Sequence, residues 1–344
     1  MEIEGYRLHH WGQAPRWEAF SLPDPGRGEV LIQVEACGVG LTVLNCMNGA
    51  LGDDPDLLPL TPGHEAVGRI AAVGEGVDSK VIGNRVMAYF YLSCFRCRWC
   101  LEGRESRCEN LRGWYGVHRD GGYAPFSVLP EGNTLALPEG IPAAQATVIP
   151  DAVATPVHVC RTRLGIGPGD RVAVIGAGGG VGIHMVQVAA ACGANVMGLE
   201  RGDEKLALVE GFGVTAEDSS DFDAVALEDF DGRADAIIDL LGTRESLSWS
   251  LSRLATGGSI CILTTFRGVE IPVQPREFVF REMSIVGSRY ASRSELLQAA
   301  EMVERGEVRP VVGVSSGPRE VESIHELLRT GRLEGRGAIL WDSQ

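Results

Sequence analysis

Four cysteines in a short, charged stretch have the spacing of a metal site. They are Cys94, Cys97, Cys100 and Cys108, in the sequence CFRCRWCLEGRESRC. Two CxxC steps followed by a fourth cysteine suit a tetrahedral set of thiolates, which holds zinc in a closed, redox-inert and therefore structural site. Four buried thiols and an iron–sulfur cluster are the alternatives, although the arginines of this segment argue against a core position. We predict one structural zinc per chain.

A glycine-rich loop indicates a dinucleotide-binding site. The strand-like run RVAVI leads into GAGGGVG and then into a helix-like run. Glycines at such a turn let the backbone approach a pyrophosphate, and the following helix offers its free N–H groups to the phosphates. A glycine-rich turn without a ligand is the alternative. The residues predicted to contact the cofactor are Gly176, Gly178, Gly179, Gly180, Val181 and Gly182.

The choice of nicotinamide cofactor depends on the residues that follow the next predicted strand. Glu200 stands at its end, and a carboxylate there accepts hydrogen bonds from the ribose hydroxyls and repels a 2′-phosphate. We therefore predict NAD. The adjacent Arg201 would favour a 2′-phosphate, so NADP remains open.

Two kinds of hydrophobic pattern indicate an α/β protein. Residues 1–150 contain short Val/Ile/Ala runs separated by Gly, Pro and Asp, which predict strands. From about residue 151 the order becomes strand, glycine loop, helix, Gly193 as helix terminator, and strand, which predicts a parallel sheet. Farther on, the run SRSELLQAAEMVE predicts an amphipathic helix capped by Ser292 or Ser294.

Composition excludes several classes of partner. The chain has 344 residues, 44% of them hydrophobic, and a formal net charge of −15. Such an acidic chain is a poor ligand for nucleic acid or an anionic membrane. We find no apolar run of the ~18 residues that a membrane helix needs, and no secretory signal at the N-terminus. We therefore expect a cytoplasmic protein whose nine cysteines are thiols or metal ligands.

Taken together, these motifs resemble the zinc-containing medium-chain alcohol dehydrogenase family. The resemblance also rests on PGHEAVG at 62–68, on GGYAPFSVLPEGNTLALPEG and on GRGAIL near the end. It implies an α/β fold with a chaperonin-10-like β-rich catalytic domain, residues 1–150 and 286–344, whose zinc lobe spans 90–115. It also implies a Rossmann doubly wound parallel-sheet domain, residues 151–285, and a homodimer or homotetramer that acts on a small-molecule substrate.

The resemblance further implies a catalytic zinc site, which this sequence alters. His64 keeps a ligand histidine, with Glu65 beside it as in the family, and Asp151 falls at a third ligand position. Gly40 stands where the family has a ligand cysteine, and a glycine has no side chain to coordinate zinc. Thr42 matches the hydroxyl that relays the substrate proton.

Two further cofactor contacts follow from the resemblance alone. Lys205 matches a position near the adenosine ribose, and Arg336 matches one near the pyrophosphate. Asn45 stands where a proton-relay histidine often stands, so the outward proton path is altered as well.

Three outcomes remain open for the altered site. Zinc binds weakly through His64, Glu65 and Asp151; or zinc is absent and Thr42, His64 and Asp151 form a hydrogen-bonding pocket; or the site is inactive. We predict an NAD(P)-dependent oxidoreductase acting on an alcohol or carbonyl substrate, with its catalytic zinc weakened or absent. The alternatives are a zinc-independent reductase of an activated C=C bond and a dinucleotide-binding protein without turnover.

Overall fold

The computed structural model describes residues 1–264, 268–271 and 273–341. Its strands, in chain order, are β1 (Glu2–Arg7), β2 (Arg16–Ser21), β3 (Glu29–Val39), β4 (Glu65–Val73), β5 (Arg85–Ala88), β6 (Phe126–Pro130), β7 (Thr134–Ala136), β8 (Arg171–Ile175), β9 (Asn195–Glu200), β10 (Thr215–Asp218), β11 (Ala234–Asp239), β12 (Leu254–Ile262), β13 (Ser284–Gly287), β14 (Val312–Ser316) and β15 (Arg336–Leu340).

Six of the ten α-helices described lie in the second half of the chain. They are α1 (Leu41–Met47), α2 (Arg98–Leu101), α3 (Ala143–Ala146), α4 (Ala154–Val157), α5 (Gly182–Ala191), α6 (Asp203–Glu210), α7 (Arg244–Arg253), α8 (Pro275–Arg281), α9 (Arg293–Glu304) and α10 (Val321–Arg329). None of the helices in the described ranges has the length and apolar composition of a membrane span.

The chain divides into two structural units. The first comprises Met1–Asp151, Ala291–Arg305 and Pro310–Gln344, and the second comprises Ala152–Tyr290 and Gly306–Arg309. The functional domains predicted from the sequence, with boundaries at 151 and 285, stay a prediction.

The first unit is built on a seven-stranded sheet. Its order is β14-β15-β3-β4-β5-β7, and β6 pairs with β3 beside this path. Strands β3, β4, β5 and β7 pair antiparallel, as do β15 and β3. One face buries an apolar cluster that includes Val30, Ile32, Val34, Tyr123 and Ile339. The last four residues of β3, at 36–39, are buried without interruption, so both faces of the strand are covered at the end where the candidate site lies.

The second unit contains a parallel six-stranded sheet in the order β10-β9-β8-β11-β12-β13. All of its neighbouring strands run parallel. The order reverses beside β8, the first strand in the chain to enter this sheet, which is the doubly wound arrangement. The predicted α/β class and the Rossmann-type sheet are confirmed.

Two predicted helix ends also match the structure. Ser292 caps α9, since its side chain accepts a hydrogen bond from the Glu295 N–H while the Glu295 carboxylate accepts one from the Ser292 N–H. Helix α5 ends before Gly193, whose φ of +89° lies in the left-handed region that favours glycine.

Candidate functional site

The four cysteines of the predicted zinc lobe come together in the first unit. The sulfur atoms of Cys94, Cys97, Cys100 and Cys108 all lie within 4.8 Å of one another. The Cys94 and Cys100 sulfurs are 3.9 Å apart, and the Cys97 and Cys100 sulfurs are 3.6 Å apart. Zinc–sulfur bonds of about 2.3 Å in a tetrahedron require sulfurs roughly 3.8 Å apart. The cluster therefore fits a structural zinc.

Backbone hydrogen bonds favour the thiolate at two of the four cysteines, whereas burial raises the pKa of Cys100 and of Cys108. The Cys97 N–H donates to the Cys94 sulfur at 3.3 Å, and the Cys94 N–H donates to the Cys108 sulfur at 3.3 Å. A hydrogen bond from the Arg96 backbone lowers the pKa of Cys94 to about 6, and one from Cys100 lowers the pKa of Cys97. Short loops around helix α2 thus present donors to sulfurs that a metal would also require to be charged.

The other five cysteines do not belong to this four-cysteine cluster. Cys37, Cys46, Cys160 and Cys261 are buried, and Cys192 is half-buried. Burial raises the pKa of Cys46 to about 12, and burial likewise raises the pKa of Cys37. These thiols act as small core side chains, as the sequence indicates.

In the second unit, the predicted glycine loop connects β8 to helix α5. Gly176 has a φ of +80°, and a side chain on Gly182 would overlap the carbonyl oxygen of Gly176. A side chain on Gly178 would press against Lys205 and Glu200. The loop is therefore closely packed and exposes backbone at the first turn of a ten-residue helix, which is the geometry that receives a pyrophosphate.

Glu200 at the end of β9 holds this loop. One oxygen of its carboxylate accepts a hydrogen bond from the Gly178 N–H at 2.7 Å, and the other accepts one from the Arg201 N–H at 2.9 Å. The exposed Arg201 directs its Nε to the Ser219 carbonyl at 3.3 Å. The carboxylate thus stands beside the loop, in the place expected of the ribose-binding acid, and the residues present fit a dinucleotide.

Strand register brings the candidate site around His64 together in the first unit. Gly337 of β15 pairs with Val39 of β3, so Arg336, one residue earlier in β15, lies opposite Gly40 at the antiparallel strand end. On the other side of β3, Gly38 pairs with Glu65, the first residue of β4. His64 precedes Glu65 and therefore lies at the same end of the sheet. Two hydrogen-bonded strand pairs thus converge on the turn that leads into α1.

His64, Glu65 and Asp151 offer ligand atoms that lie within 4.8 Å of one another. The Nε2 atom of His64 is 3.5 Å from Glu65 Oε1 and 3.7 Å from Asp151 Oδ2. Asp151 comes from a π-helical turn, Ile149–Val153. Burial raises the pKa of Glu65 to about 7, an effect that the nearby Arg336 opposes. One imidazole nitrogen and two carboxylates are an acceptable set of donors for zinc.

A cation from the protein itself already occupies this cluster. Nη2 of Arg336 donates a hydrogen bond to Asp151 Oδ2 at 2.5 Å and is 3.2 Å from Glu65 Oε1. The carboxylates raise the pKa of Arg336 despite its burial, which acts the other way, so the guanidinium stays charged. A zinc bound to the same Asp151 oxygen at about 2.2 Å would lie within ~4.7 Å of Nη2. The three donor residues suit zinc, but a zinc ion bound to them would lie too close to the charged guanidinium of Arg336.

Several polar atoms of this cluster lack hydrogen bonds. Within the described ranges, His64 Nε2, both Glu65 carboxylate oxygens and Arg336 Nε are buried without a hydrogen-bond partner. The Phe90 ring lies 4.7 Å from the His64 ring and stacks at 6.1 Å on Trp114, so one side of the histidine is apolar. Buried polar atoms without partners are costly and mark a position where a ligand or water adds hydrogen bonds.

Thr42 and Asn45 both lie on helix α1, directly after Gly40. Thr42 is half-buried and Asn45 is exposed. Gly40 is the N-cap residue of this helix and has no side chain with which to cap it. The proton-relay role of Thr42 stays a prediction.

The placement of Arg336 is the feature that the sequence did not reveal. By resemblance, Arg336 was expected near the cofactor pyrophosphate, and that contact also stays a prediction. The structure brings its guanidinium together with His64, Glu65 and Asp151. The glycine at 40 and the arginine at 336 are the sequence signal, but only the pairing of β3 with β15 shows that the two residues are neighbours.

Comparison with known proteins gives consistent matches over nearly the whole chain. Residues 26–139 match the alcohol dehydrogenase GroES-like domain, and residues 180–305 match the zinc-binding dehydrogenase domain. An alcohol dehydrogenase from Moraxella sp. (strain TAE123) is 32% identical, and the alignment covers 96% of this chain and 97% of the relative.

Two further matches differ in reaction and in bound metal. An acryloyl-coenzyme A reductase from Sulfurisphaera tokodaii is 28% identical over 97% of this chain and 96% of the relative. The structure of a cobalt- and zinc-bound thermostable alcohol dehydrogenase from Pyrobaculum aerophilum superposes with a TM-score of 0.89, at 26% identity, over 99% of this chain and all of the other.

Proposed function

Because this chain belongs to the zinc-containing medium-chain alcohol dehydrogenase family, we propose that it transfers a hydride between NAD(H) and a small or medium-sized alcohol or carbonyl compound. It is an alcohol dehydrogenase-like oxidoreductase, and zinc and NAD(H) are typical of its family. The observation that supports the proposal is the glycine loop that leads into helix α5 and is held by Glu200, since such a loop would offer N–H groups to a pyrophosphate and the carboxylate would accept hydrogen bonds from a ribose.

The nicotinamide, when bound, supplies or takes up the hydride, and the protein handles the accompanying proton. In the oxidation direction the substrate carbon loses a hydride and its hydroxyl loses a proton. We assign Thr42 to hold that hydroxyl proton, since its residue type and position match the relay hydroxyl of the family. Within the buried cluster, we assign the imidazole of His64 to accept or donate the proton next.

We propose that the catalytic zinc is weakened or absent. Two features support this: Gly40 provides no thiolate, and a guanidinium lies against the carboxylates that would have to bind the metal. At an effective dielectric constant of 20, a divalent and a monovalent cation ~4.7 Å apart repel by about 7 kcal/mol. A zinc at His64 would therefore require Arg336 to move.

A reductase of an activated C=C bond is the second candidate function. Hydrogen bonds alone polarise the carbonyl group of an enoyl substrate, so this reaction does not depend on a metal. The arginine in the cluster favours it, and an acryloyl-coenzyme A reductase is among the relatives of this chain. The hydride would then go to the β-carbon of the substrate and a proton to the α-carbon.

One experiment separates these functions. NADH oxidation is measured with purified protein against a panel of aldehydes, ketones, enones and enoyl thioesters, and NAD reduction against the matching alcohols. Turnover on aldehydes or ketones supports the first function, and turnover confined to enones and thioesters supports the second. Binding of NADH without turnover on any of them would contradict both.

Cofactor preference gives a further prediction. We expect NAD(H) to bind at least about tenfold more tightly than NADP(H), which corresponds to about 1.4 kcal/mol, because the Glu200 carboxylate faces the position of a 2′-phosphate. Titration of protein fluorescence with both reduced cofactors measures the ratio. Glu200→Gln, which keeps a hydrogen-bond acceptor for the Gly178 N–H, should narrow the ratio. Tighter binding of NADP(H) by the wild type would show that Arg201 decides the preference.

We also propose a cytoplasmic homodimer or homotetramer. In the second unit, β13 is the last strand of the parallel sheet, and among the described residues one of its edges has no pairing strand. Ile285 on this strand and Val279 and Phe280 on the preceding helix α8 are exposed, the last two to about 70%. An exposed strand edge beside apolar side chains favours pairing with a second copy, and light scattering would give the mass.

A further inference from the structure

Four residues at one end of the seven-stranded sheet form a buried charged cluster, here called the Arg336 cluster: His64, Glu65, Asp151 and Arg336. We propose that the guanidinium of Arg336 is the resident cation of this cluster, in the place of the catalytic zinc, and that residue 40 is glycine because the guanidinium fills the space of its side chain. Arg336 is thus a positioning residue that orients Asp151 and Glu65.

The geometry at Gly40 carries the proposal. A Cβ atom built on Gly40 would overlap Nη1 of Arg336 and lie 2.5 Å from its Cζ. Those atoms are the far end of a flexible side chain, which is held in this position by the hydrogen bond from Nη2 to Asp151 Oδ2. A cysteine at 40 and the guanidinium in this position therefore exclude each other. The cysteine that the family uses as a ligand would occupy the same volume as the arginine does here.

Strand pairing makes this neighbourhood obligatory. Four consecutive residue pairs join β15 to β3, from Gly337–Val39 to Leu340–Ala36. The backbone N–H of Arg336 donates to the Val311 carbonyl at 3.0 Å, which fixes the start of β15 from its other side. A one-residue slip would exchange the faces of Ala338 and Ile339, which are both fully buried and differ in volume. The backbone of Arg336 therefore lies beside Gly40 whichever rotamer its side chain adopts.

Charge balance explains why a cation is needed. Glu65 is fully buried, and Asp151 is 15% exposed. Two carboxylates whose oxygens lie close together are stable in such a setting only with a counter-charge. In this chain a single side chain, 5% exposed, contacts both carboxylates.

Some buried polar atoms of the Arg336 cluster lack hydrogen-bond partners among the described residues, so the cluster can accept a further group. Among the described residues, Arg336 Nε and His64 Nε2 have no hydrogen-bond partner although both are buried. A neutral oxygen, from water or from a substrate carbonyl, would give each atom a partner. A second cation would leave Arg336 Nε without one, because a guanidinium only donates.

The proposal deepens the proposed function. It rests on that function only because it takes the Arg336 cluster as the catalytic site. Its test counts zinc by elemental analysis and records Tm, neither of which needs turnover. Failure of the activity panel would leave the zinc counts interpretable, and an active enzyme with two zincs would refute this proposal alone.

Four proteins are compared: wild type, Gly40→Cys, Arg336→Ala and the double variant. We expect about one zinc per chain in the wild type and in Gly40→Cys, because the lobe is filled and the guanidinium keeps the second site closed. Gly40→Cys should also have a lower Tm, since its side chain overlaps Arg336. The double variant combines a new thiolate at position 40 with His64 and Asp151 as three ligands, and it should hold about two zincs per chain.

Two matched variants control for effects unrelated to the cluster. Gly140→Cys adds a cysteine where a Cβ meets no atom within 4 Å, and it should change neither zinc content nor Tm. Arg85→Ala removes another buried arginine of the same sheet, one that pairs with Glu35. It should lower Tm without any gain of zinc. Arg336→Lys keeps a positive charge and should stay at one zinc per chain.

Two results would overturn the proposal. The first is a wild-type protein with two zincs, one of which is lost in His64→Ala. The second is an Arg336→Ala protein and a double variant that fold and still hold one zinc each when zinc chloride is added. If the double variant fails to fold, titrating zinc chloride into the one-zinc wild type decides: a second site that His64→Ala abolishes contradicts the proposal, and no second site supports it.

A chemical rescue distinguishes a positioning role from a merely structural one. Methylguanidinium added to Arg336→Ala should restore a measurable part of the lost turnover, whereas methylammonium at the same concentration should restore less, because only the planar ion bridges Asp151 and Glu65. Loss of turnover without any rescue, together with unchanged zinc content, would contradict the assignment.

Discussion

Replacing Cys100 with serine is expected to empty the zinc lobe and to lower Tm by about 4 °C. Cys100 is buried, and its sulfur lies closest of the measured pairs to a second ligand sulfur, at 3.6 Å. A serine oxygen is a poor zinc ligand, and the loops around helix α2 have little apolar core of their own to hold them. Structural zinc contributes directly to folding free energy, and a loss of about 3 kcal/mol gives a shift of this size.

Elemental analysis and thermal denaturation of the same sample measure the effect. Cys192→Ser is the matched control, because Cys192 lies in the second unit, outside both candidate metal clusters. It should keep the zinc content and the Tm of the wild type. A zinc-replete Cys100→Ser protein of unchanged Tm would show that three thiolates suffice or that the metal lies elsewhere.

Replacing Gly182 with alanine is expected to weaken NADH binding by at least about tenfold. The new methyl group would overlap the Gly176 carbonyl oxygen and press on the Ala177 backbone, so helix α5 must move away from the loop. Overpacking against backbone costs about 1–3 kcal/mol. The displacement acts on the N–H groups that we assign to the pyrophosphate, so the loss falls on cofactor affinity as well as on stability.

Fluorescence titration with NADH checks this expectation. Gly167→Ala is the control within the same unit, since a Cβ there meets no atom within 4 Å. It should bind NADH as the wild type does. A Gly182→Ala protein with unchanged affinity would mean that the loop does not receive the cofactor, and the proposed function would lose its main support.

The two candidate metal centres differ in how far their residues are separated in the chain. The zinc lobe uses residues 94–108, so the ligands, their spacing and their charged setting can be read together. The Arg336 cluster draws on residues 64, 65, 151 and 336, which only the sheet and the turn at 149–153 bring together. Short-range sites are therefore predictable from spacing, whereas long-range sites depend on strand register.

The sequence by itself determined the fold class, the glycine loop and the zinc lobe. Each depends on local rules: the period of apolar residues, the backbone freedom of glycine and the spacing of thiolates. Capping of α9 by Ser292 was predictable for the same reason, since the capping box involves residues three apart.

Only the tertiary structure brought Arg336 to the candidate site of His64, Glu65 and Asp151. The missing cysteine at 40 was visible in the sequence, but its consequence was not, because Arg336 lies almost three hundred residues away and was expected at the cofactor. Antiparallel pairing of Gly337 with Val39 places the arginine beside the glycine, and burial against Asp151 and Glu65 holds its charge there. A sequence specifies which side chain is absent, whereas the packing of distant strands specifies which one takes its volume.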